Sequence, residues 1–148
     1  MNIEALEATI EAKPDAVTID VSKTAVLVVD MQNDFGAEGG MFDRAGLDIS
    51  IVQAAVGPTA RVIASARKRG IPIIYVKEAL SPDLSDVGAA HSPHGRMAQR
   101  LGLGDSAPAP DGSPSRIHID GTWHTEILPE LAPQASDTII KKRRWSAF

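Results

Sequence analysis

The chain of 148 residues contains no cysteine. Disulfides, iron–sulfur clusters, Cys-bound zinc and any thiol chemistry carried by these residues alone are thereby excluded. Positive charge is not in excess either: Lys and Arg number 15 against 19 Asp and Glu, a formal charge of −4. That balance argues against nucleic acid as a partner, because phosphate contacts need clustered Lys and Arg. No segment approaches the roughly 18 consecutive apolar residues of a membrane-spanning helix, so no membrane partner is expected. Met1 to Glu11 carry Glu4, Glu7 and Glu11 where a secretory signal would carry a basic region and then an apolar run. The expected location is therefore cytoplasmic. Walker A and Gly-x-Ser-x-Gly patterns are missing. Gly102-Leu103-Gly104 lacks the third glycine and the preceding strand of a dinucleotide fingerprint.

What is present is a globular composition, 43% hydrophobic and 23% charged, at about one domain's length. Ile3, Leu6 and Ile10 fall at helical spacing, which predicts a short helical extension within residues 1–16, ending before Pro14. Ala25 to Val29 is a continuous apolar run rich in β-branched residues and stopped by Asp30. Such a run suits a strand buried on both faces, as in a parallel sheet of an α/β fold. Ile71 to Val76 is a second run, ending at Lys77-Glu78, and Thr138 to Ile140 a third, ending at Lys141-Lys142. Between the first two, Pro58 suits a first helical position, Val62, Ile63 and Ala66 form an apolar stripe, and Gly70 suits the C-terminal cap. Strand, helix and strand at this spacing predict a βαβ crossover. Residues 81–116 are the least regular, with five Pro and five Gly, apart from a short helix expected over Pro93 to Leu101. A connection of that length inside a domain is more often functional than idle. Thr122 to Leu131 reads as another helix, with Trp123, Ile127 and Leu131 on one face.

Three parallel strands would place Asp30, then Lys77 and Glu78, then Lys141 and Lys142, along one edge of the sheet. Ligands of open α/β sheets bind beyond that carboxyl edge. An acid and a base can therefore converge there without being neighbours in sequence. The competing reading is that charged residues merely end strands where they emerge into water.

Thr24-Ala25-Val26-Leu27-Val28-Val29-Asp30-Met31-Gln32-Asn33-Asp34-Phe35 resembles the opening segment of the isochorismatase-like cysteine hydrolases. Lys142-Arg143-Arg144-Trp145-Ser146-Ala147-Phe148 is similar to that family's Lys-x-Arg-Tyr-Ser-Ala-Phe segment, with Trp in place of Tyr. Gly39-Gly40, Leu47-Asp48, Gly70-Ile71-Pro72 and Ile127-Leu128-Pro129-Glu130-Leu131 also fit, so the resemblance spans nearly all of residues 17–148. Within the family, ureidoacrylate amidohydrolases and biuret hydrolases look most alike. The resemblance implies a three-layer α/β/α Rossmann-like fold with a mainly parallel sheet, one hydrolase domain over residues 1–148, and no cofactor. It also implies a small amide or ureido substrate and self-association into a homo-oligomer.

Family members use an Asp–Lys–Cys triad. Matched by position, Asp30 is the acid/base, Lys142 the lysine, and Phe35 lines the substrate pocket. Lys141 competes for the lysine role, but adjacent strand residues point to opposite faces, so only one is expected at the site. The family's nucleophilic Cys follows a further helix and strand beyond the Ser-Ala-Phe segment. The expectation is therefore an incomplete domain whose C-terminal part is missing, inactive by itself. Isochorismate-type ether cleavage and a non-catalytic, partner-binding half-domain are the rival readings.

Glu78 is read as a polar substrate contact from its place at a strand end, with a surface carboxylate as the alternative. Trp123 and His124 are placed over the pocket, although Trp123 on an apolar face also suits a core. His91-x-x-His94 has the look of half a metal site but no third ligand at telling spacing. Nicotinamidase-like relatives carry Asp-x-His after the second strand, where this sequence has Lys77-Glu78-Ala79. Neither a metal nor a nicotinamide substrate is therefore expected. The basic run Lys141 to Arg144 continues a strand of an acidic chain, which weighs against a nucleic-acid patch.

Overall fold

The apolar runs become strands in the computed structural model, which describes residues 7–147. Ile3 and Leu6 of the expected N-terminal helix, and Phe148 of the C-terminal motif, lie outside those residues. Three parallel strands form the main sheet: β3 (Val26–Val29), β4 (Ile73–Glu78) and β5 (Thr138–Lys142), with β4 in the centre. A separate hairpin precedes it, β1 (Glu7–Ile10) pairing antiparallel with β2 (Val17–Asp20). This corrects the helical extension. Ile10 lies in a strand in register with Val17, so the pairing partner decides the conformation over a weak helical spacing.

Four helices are described: α1 (Asn33–Gly36), α2 (Met41–Arg44), α3 (Ser50–Lys68) and α4 (Pro93–Leu101). α4 occupies its expected range; Ser92 caps it by accepting from the Gly95 amide at 3.0 Å, and Gly102 closes it in the left-handed conformation. α3 starts well before Pro58, which lies inside it. The missing proline N–H leaves a carbonyl one turn back without its helical partner, on a stretch exposed to solvent, where the cost of an unpaired carbonyl is small. The expected helix over Thr122 to Leu131 is instead two single turns, Trp123–Thr125 and Pro129–Leu131, around an extended piece. There the Asn33 amide donates to Glu126 O (2.9 Å) and the Leu128 amide to Met31 O (3.0 Å). Pairing with the chain after β3 outweighs the helical spacing.

The core lies between the sheet and α3. Val28, Ile73 and Tyr75 of the sheet pack with Ile63 and Ala66 of α3, and with Val21, Ile71 and Leu131. Each fully buried aliphatic side chain contributes roughly 1.5–3 kcal/mol. Tyr75 carries its hydroxyl into the core by donating to Leu131 O at 2.8 Å. Val62, assigned to the buried stripe from sequence, is exposed. The first strand is not buried on both faces. Leu27, Val29 and Ile140 share one pleat face through the register Val29–Val76–Ile140, and remain 40–47% exposed.

The corner between α1 and α2 depends on Gly40, where a Cβ would stand 2.2 Å from the Asn33 carbonyl oxygen and 3.0 Å from that of Ala37. Gly40→Ala is expected to destabilise the fold by about 3 kcal/mol, read from the urea midpoint, because backbone rather than a flexible side chain must yield. An unchanged midpoint would show that the corner relaxes freely.

Candidate functional site

Register places the charged residues. Asp30 follows β3, with its amide donating to Val76 O (2.9 Å). Glu78 and Lys142 are direct partners at the ends of β4 and β5, so their side chains share a face. Gln32, fully buried, locks the end of β4 from the side. Its Nε2 donates to Glu78 O and its Oε1 accepts from the Glu78 amide, both at 2.9 Å.

Three charged side chains meet at that rim. Lys142 Nζ stands 3.2 Å from Asp30 Oδ2 and 3.0 Å from Glu78 Oε2. It donates to Glu78 Oε2, Arg144 O (3.1 Å) and Trp145 O (2.9 Å), so its three N–H groups have three acceptors and Asp30 stands beside it as an ion pair. Lys142 and Glu78 are buried, whereas the Asp30 side chain is 33% exposed and is the member of the group that a ligand reaches. Asp30 Oδ1 is buried with no hydrogen-bond partner, and the residue sits at φ 59° in the left-handed region. Burial raises the Asp30 pKa, with Glu78 adding to the rise, against the lowering pull of Lys142. The arrangement is a partly desolvated base with an unused lone pair, held beside a buried ammonium.

A second buried cluster lies behind Glu78. His118 Nε2 is 3.8 Å from Glu78 Oε2, and its Nδ1 is 2.9 Å from Asp34 Oδ2. Asp34 is fully buried; it also accepts from the His118 amide (2.8 Å) and the Met41 amide (3.0 Å) and contacts His124 Nδ1. His124 Nε2 donates to Ala107 O at 3.0 Å. Burial would raise the pKa of Asp34 and of Glu78. The hydrogen bonds from His118 and His124 outweigh it for Asp34, and the nearby His118 charge with the bond from Lys142 outweighs it for Glu78, so both carboxyls are lowered. His118 moves the other way: burial opposes its charge, but Asp34 and Glu78 carry it up to about 9.

Of the residues singled out from sequence, the structure brings together Asp30, Glu78 and Lys142. Glu78 is too buried for a surface carboxylate. Lys141 points away, exposed, and pairs with Asp120 at 2.7 Å. Phe35 packs against Phe42 and sets its ring edge-on to His118, with centroids 5.4 Å apart. Trp123 lies elsewhere: with Asn33, Gln53, Leu128 and Glu130 it lines a cavity of about 620 Å³ whose walls include none of Asp30, Glu78 and Lys142. His124 is core, not cover. His94 lies against Trp145 with the rings tilted, and among the described residues no three His, Asp or Glu are grouped to hold a metal ion. No described helix is long and apolar enough to cross a membrane. Sequence reasoning missed Asp34 and His118. Asp34 was visible only inside a motif, and His118 lies in an irregular loop where no periodicity marks it.

The isochorismatase domain family matches residues 24–148. The chain is 34% identical over 140 residues to ureidoacrylate amidohydrolase RutB of Agrobacterium fabrum, covering 95% of this chain and 60% of that protein. A cysteine hydrolase from Pseudomonas syringae pv. phaseolicola superposes with a TM-score of 0.58 at 28% identity, covering 84% of this chain and 48% of that one. N-carbamoylsarcosine amidase from Thermoplasma acidophilum gives a TM-score of 0.54 at 25% identity, covering 84% and 54%. The chain thus spans 48–60% of the length of these relatives.

The protonation states predict a two-sided pH profile of stability. Glu78 and Asp34, lowered in the fold, stabilise above the ordinary carboxylate range, and that contribution is lost as pH falls through their folded values. His118, raised to about 9, stabilises fully below its ordinary value near 6.5, and that contribution is lost as pH rises through about 9. Asp30, raised, opposes the other carboxylates modestly once ionised. Urea denaturation across pH is expected to show a loss of the order of 3 kcal/mol between pH about 6.5 and about 9. A flat alkaline limb would contradict the charge assigned to His118.

Proposed function

The chain belongs to the isochorismatase family, and from that membership we propose that it carries the acid/base half of a cysteine hydrolase that cleaves a C–N bond in a small amide or ureido compound. The observation behind this reading is the ion pair of Asp30 and Lys142 at 3.2 Å, with Asp30 Oδ1 unpartnered and its pKa raised. Relatives named as an amidohydrolase and an amidase support the substrate class.

The chemistry follows from what each group can do. A thiolate, not a thiol, attacks a carbonyl, and a nearby ammonium lowers a thiol's pKa. Lys142 supplies that field. Asp30 takes the thiol proton, sulfur bonds to the carbonyl carbon, and the C–N bond breaks as Asp30 returns the proton to the leaving amine. Water then hydrolyses the thioester. A base whose pKa is raised towards neutrality returns a proton more readily than an ordinary carboxylate. Neither Asp30 nor Lys142 replaces sulfur, and the sequence holds no cysteine. The thiol therefore comes from outside these 148 residues.

A second reading, a non-catalytic half-domain that binds a partner, draws on the missing thiol and on the exposed apolar Leu27, Val29 and Ile140.

Product release from a ureidoacrylate-type substrate, followed by mass spectrometry, separates the two. The 148-residue chain alone is expected to release none, and a polypeptide extended to include a family-type cysteine segment is expected to turn over. Asp30→Asn and Lys142→Met in the extended form should each reduce kcat by about 10²-fold or more. Turnover by the chain alone would overturn the thiol requirement. Folded but inert extended forms would favour the partner-binding reading.

A further inference from the structure

The rim has a charge imbalance that the proposed chemistry does not resolve. Lys142 is one cation between two carboxylates, Asp30 at 3.2 Å and Glu78 at 3.0 Å. Two carboxylates competing for one ammonium push one of them towards protonation. Asp30, already desolvated, is the one that would fill its free lone pair and cease to be a base. Glu78 needs a cation of its own.

We propose that His118, anchored from behind by Asp34, is a positioning residue: it fixes the Glu78 carboxylate as the permanent counter-ion of Lys142 and so leaves Asp30 free to exchange a proton. The inference rests on the reading of Asp30 and Lys142 as the acid/base pair. His118 Nε2 faces Glu78 Oε2 at 3.8 Å, the same oxygen that Lys142 holds. The ring cannot turn away, because Nδ1 and the backbone amide both bind Asp34 Oδ2. The Leu80 amide fixes the carbonyl of His118 at 2.8 Å, and Phe35 borders its ring. The groups that face His118 are Asp34 from α1, with the His124 ring beyond it, on one side, and Glu78 from β4, then Lys142 from β5 and Asp30 after β3, on the other. Burial works against a charged His118, yet Asp34 and Glu78 outweigh it.

The backbone carries an independent sign. His118 sits at φ 63°, in the left-handed region that residues other than glycine adopt uncommonly. Leu84 shares this geometry, but the other such non-glycine residue among those described is Asp30, at the opposite end of the charged line. Strain is thus tolerated where it aims the two terminal side chains of the relay Asp30–Lys142–Glu78–His118.

The test uses titration of the 148-residue chain and no substrate, so its failure and that of the hydrolase reading are separable. Carboxyl ¹³C NMR follows Asp30 and Glu78 in the wild type and in His118→Gln, which keeps a polar side chain but no charge. The Glu78 midpoint is expected to rise by about one pH unit or more, with a smaller rise at Asp30. Unchanged midpoints in a folded variant would overturn the proposal and leave His118 a structural residue. If His118→Gln does not fold, ¹⁵N signals of His118 in the wild type decide. A doubly protonated ring at pH 7.5 upholds the proposal, and a neutral ring overturns it.

Discussion

One buried ammonium organises this molecule's functional edge. Lys142 is enclosed by two carboxylates and two backbone carbonyls, and an ion of that kind is tolerated only where partners replace its lost hydration. Those partners come from the ends of three strands that are far apart in sequence, so the ammonium is satisfied only if β3, β4 and β5 keep their register. A slip of one residue in β5 would put Lys141 in its place and turn Lys142 outwards. The sheet's pairing and the site's electrostatics are therefore one constraint, seen once as hydrogen bonds and once as charge.

This constraint explains which features were legible in the sequence. Parallel strands betray themselves by unbroken β-branched runs, and the ionisable residues after each run mark the carboxyl edge, so Asp30, Lys77-Glu78 and Lys141-Lys142 stood out before any coordinates. Strand alternation allowed only one of the two lysines at the site, and the family motif's spacing chose Lys142. Register alone explains why Glu78 meets Lys142 so closely, and register is not written in a single strand's composition. His118 and Asp34 were beyond reach for another reason. They meet across a long separation in sequence, through a loop with no period, and only folded geometry joins them.

Local signals failed where a distant partner outweighed them. Ile10 pairs with Val17 in a hairpin, although its spacing to Leu6 and Ile3 favoured a helix. Glu126 to Leu128 are drawn out of a helical pattern by bonding to Met31 and Asn33, next to Asp30 itself. Both partners of that stretch serve the site's surroundings: Asn33 opens α1, which carries Asp34, and Met31 follows the base. The departure from propensity and the positioning of functional side chains share a cause. Burial of charge adds its own demand, since Asp34, Glu78, His118 and Lys142 are each less than a tenth exposed and each satisfied by an opposite neighbour. Strand ends, loop and one-turn helix are bound together by that mutual requirement.

The most direct measurement of this account is the carboxyl titration of Asp30 in Lys142→Met, with Glu78→Gln as a background that removes the second anion. Coupling through one shared ammonium predicts that losing Lys142 lifts the Asp30 midpoint by about one pH unit or more. It also predicts that removing Glu78 as well brings the midpoint partly back down. An Asp30 midpoint indifferent to both substitutions would mean that the three groups stand close without acting on one another, and the central claim would fail.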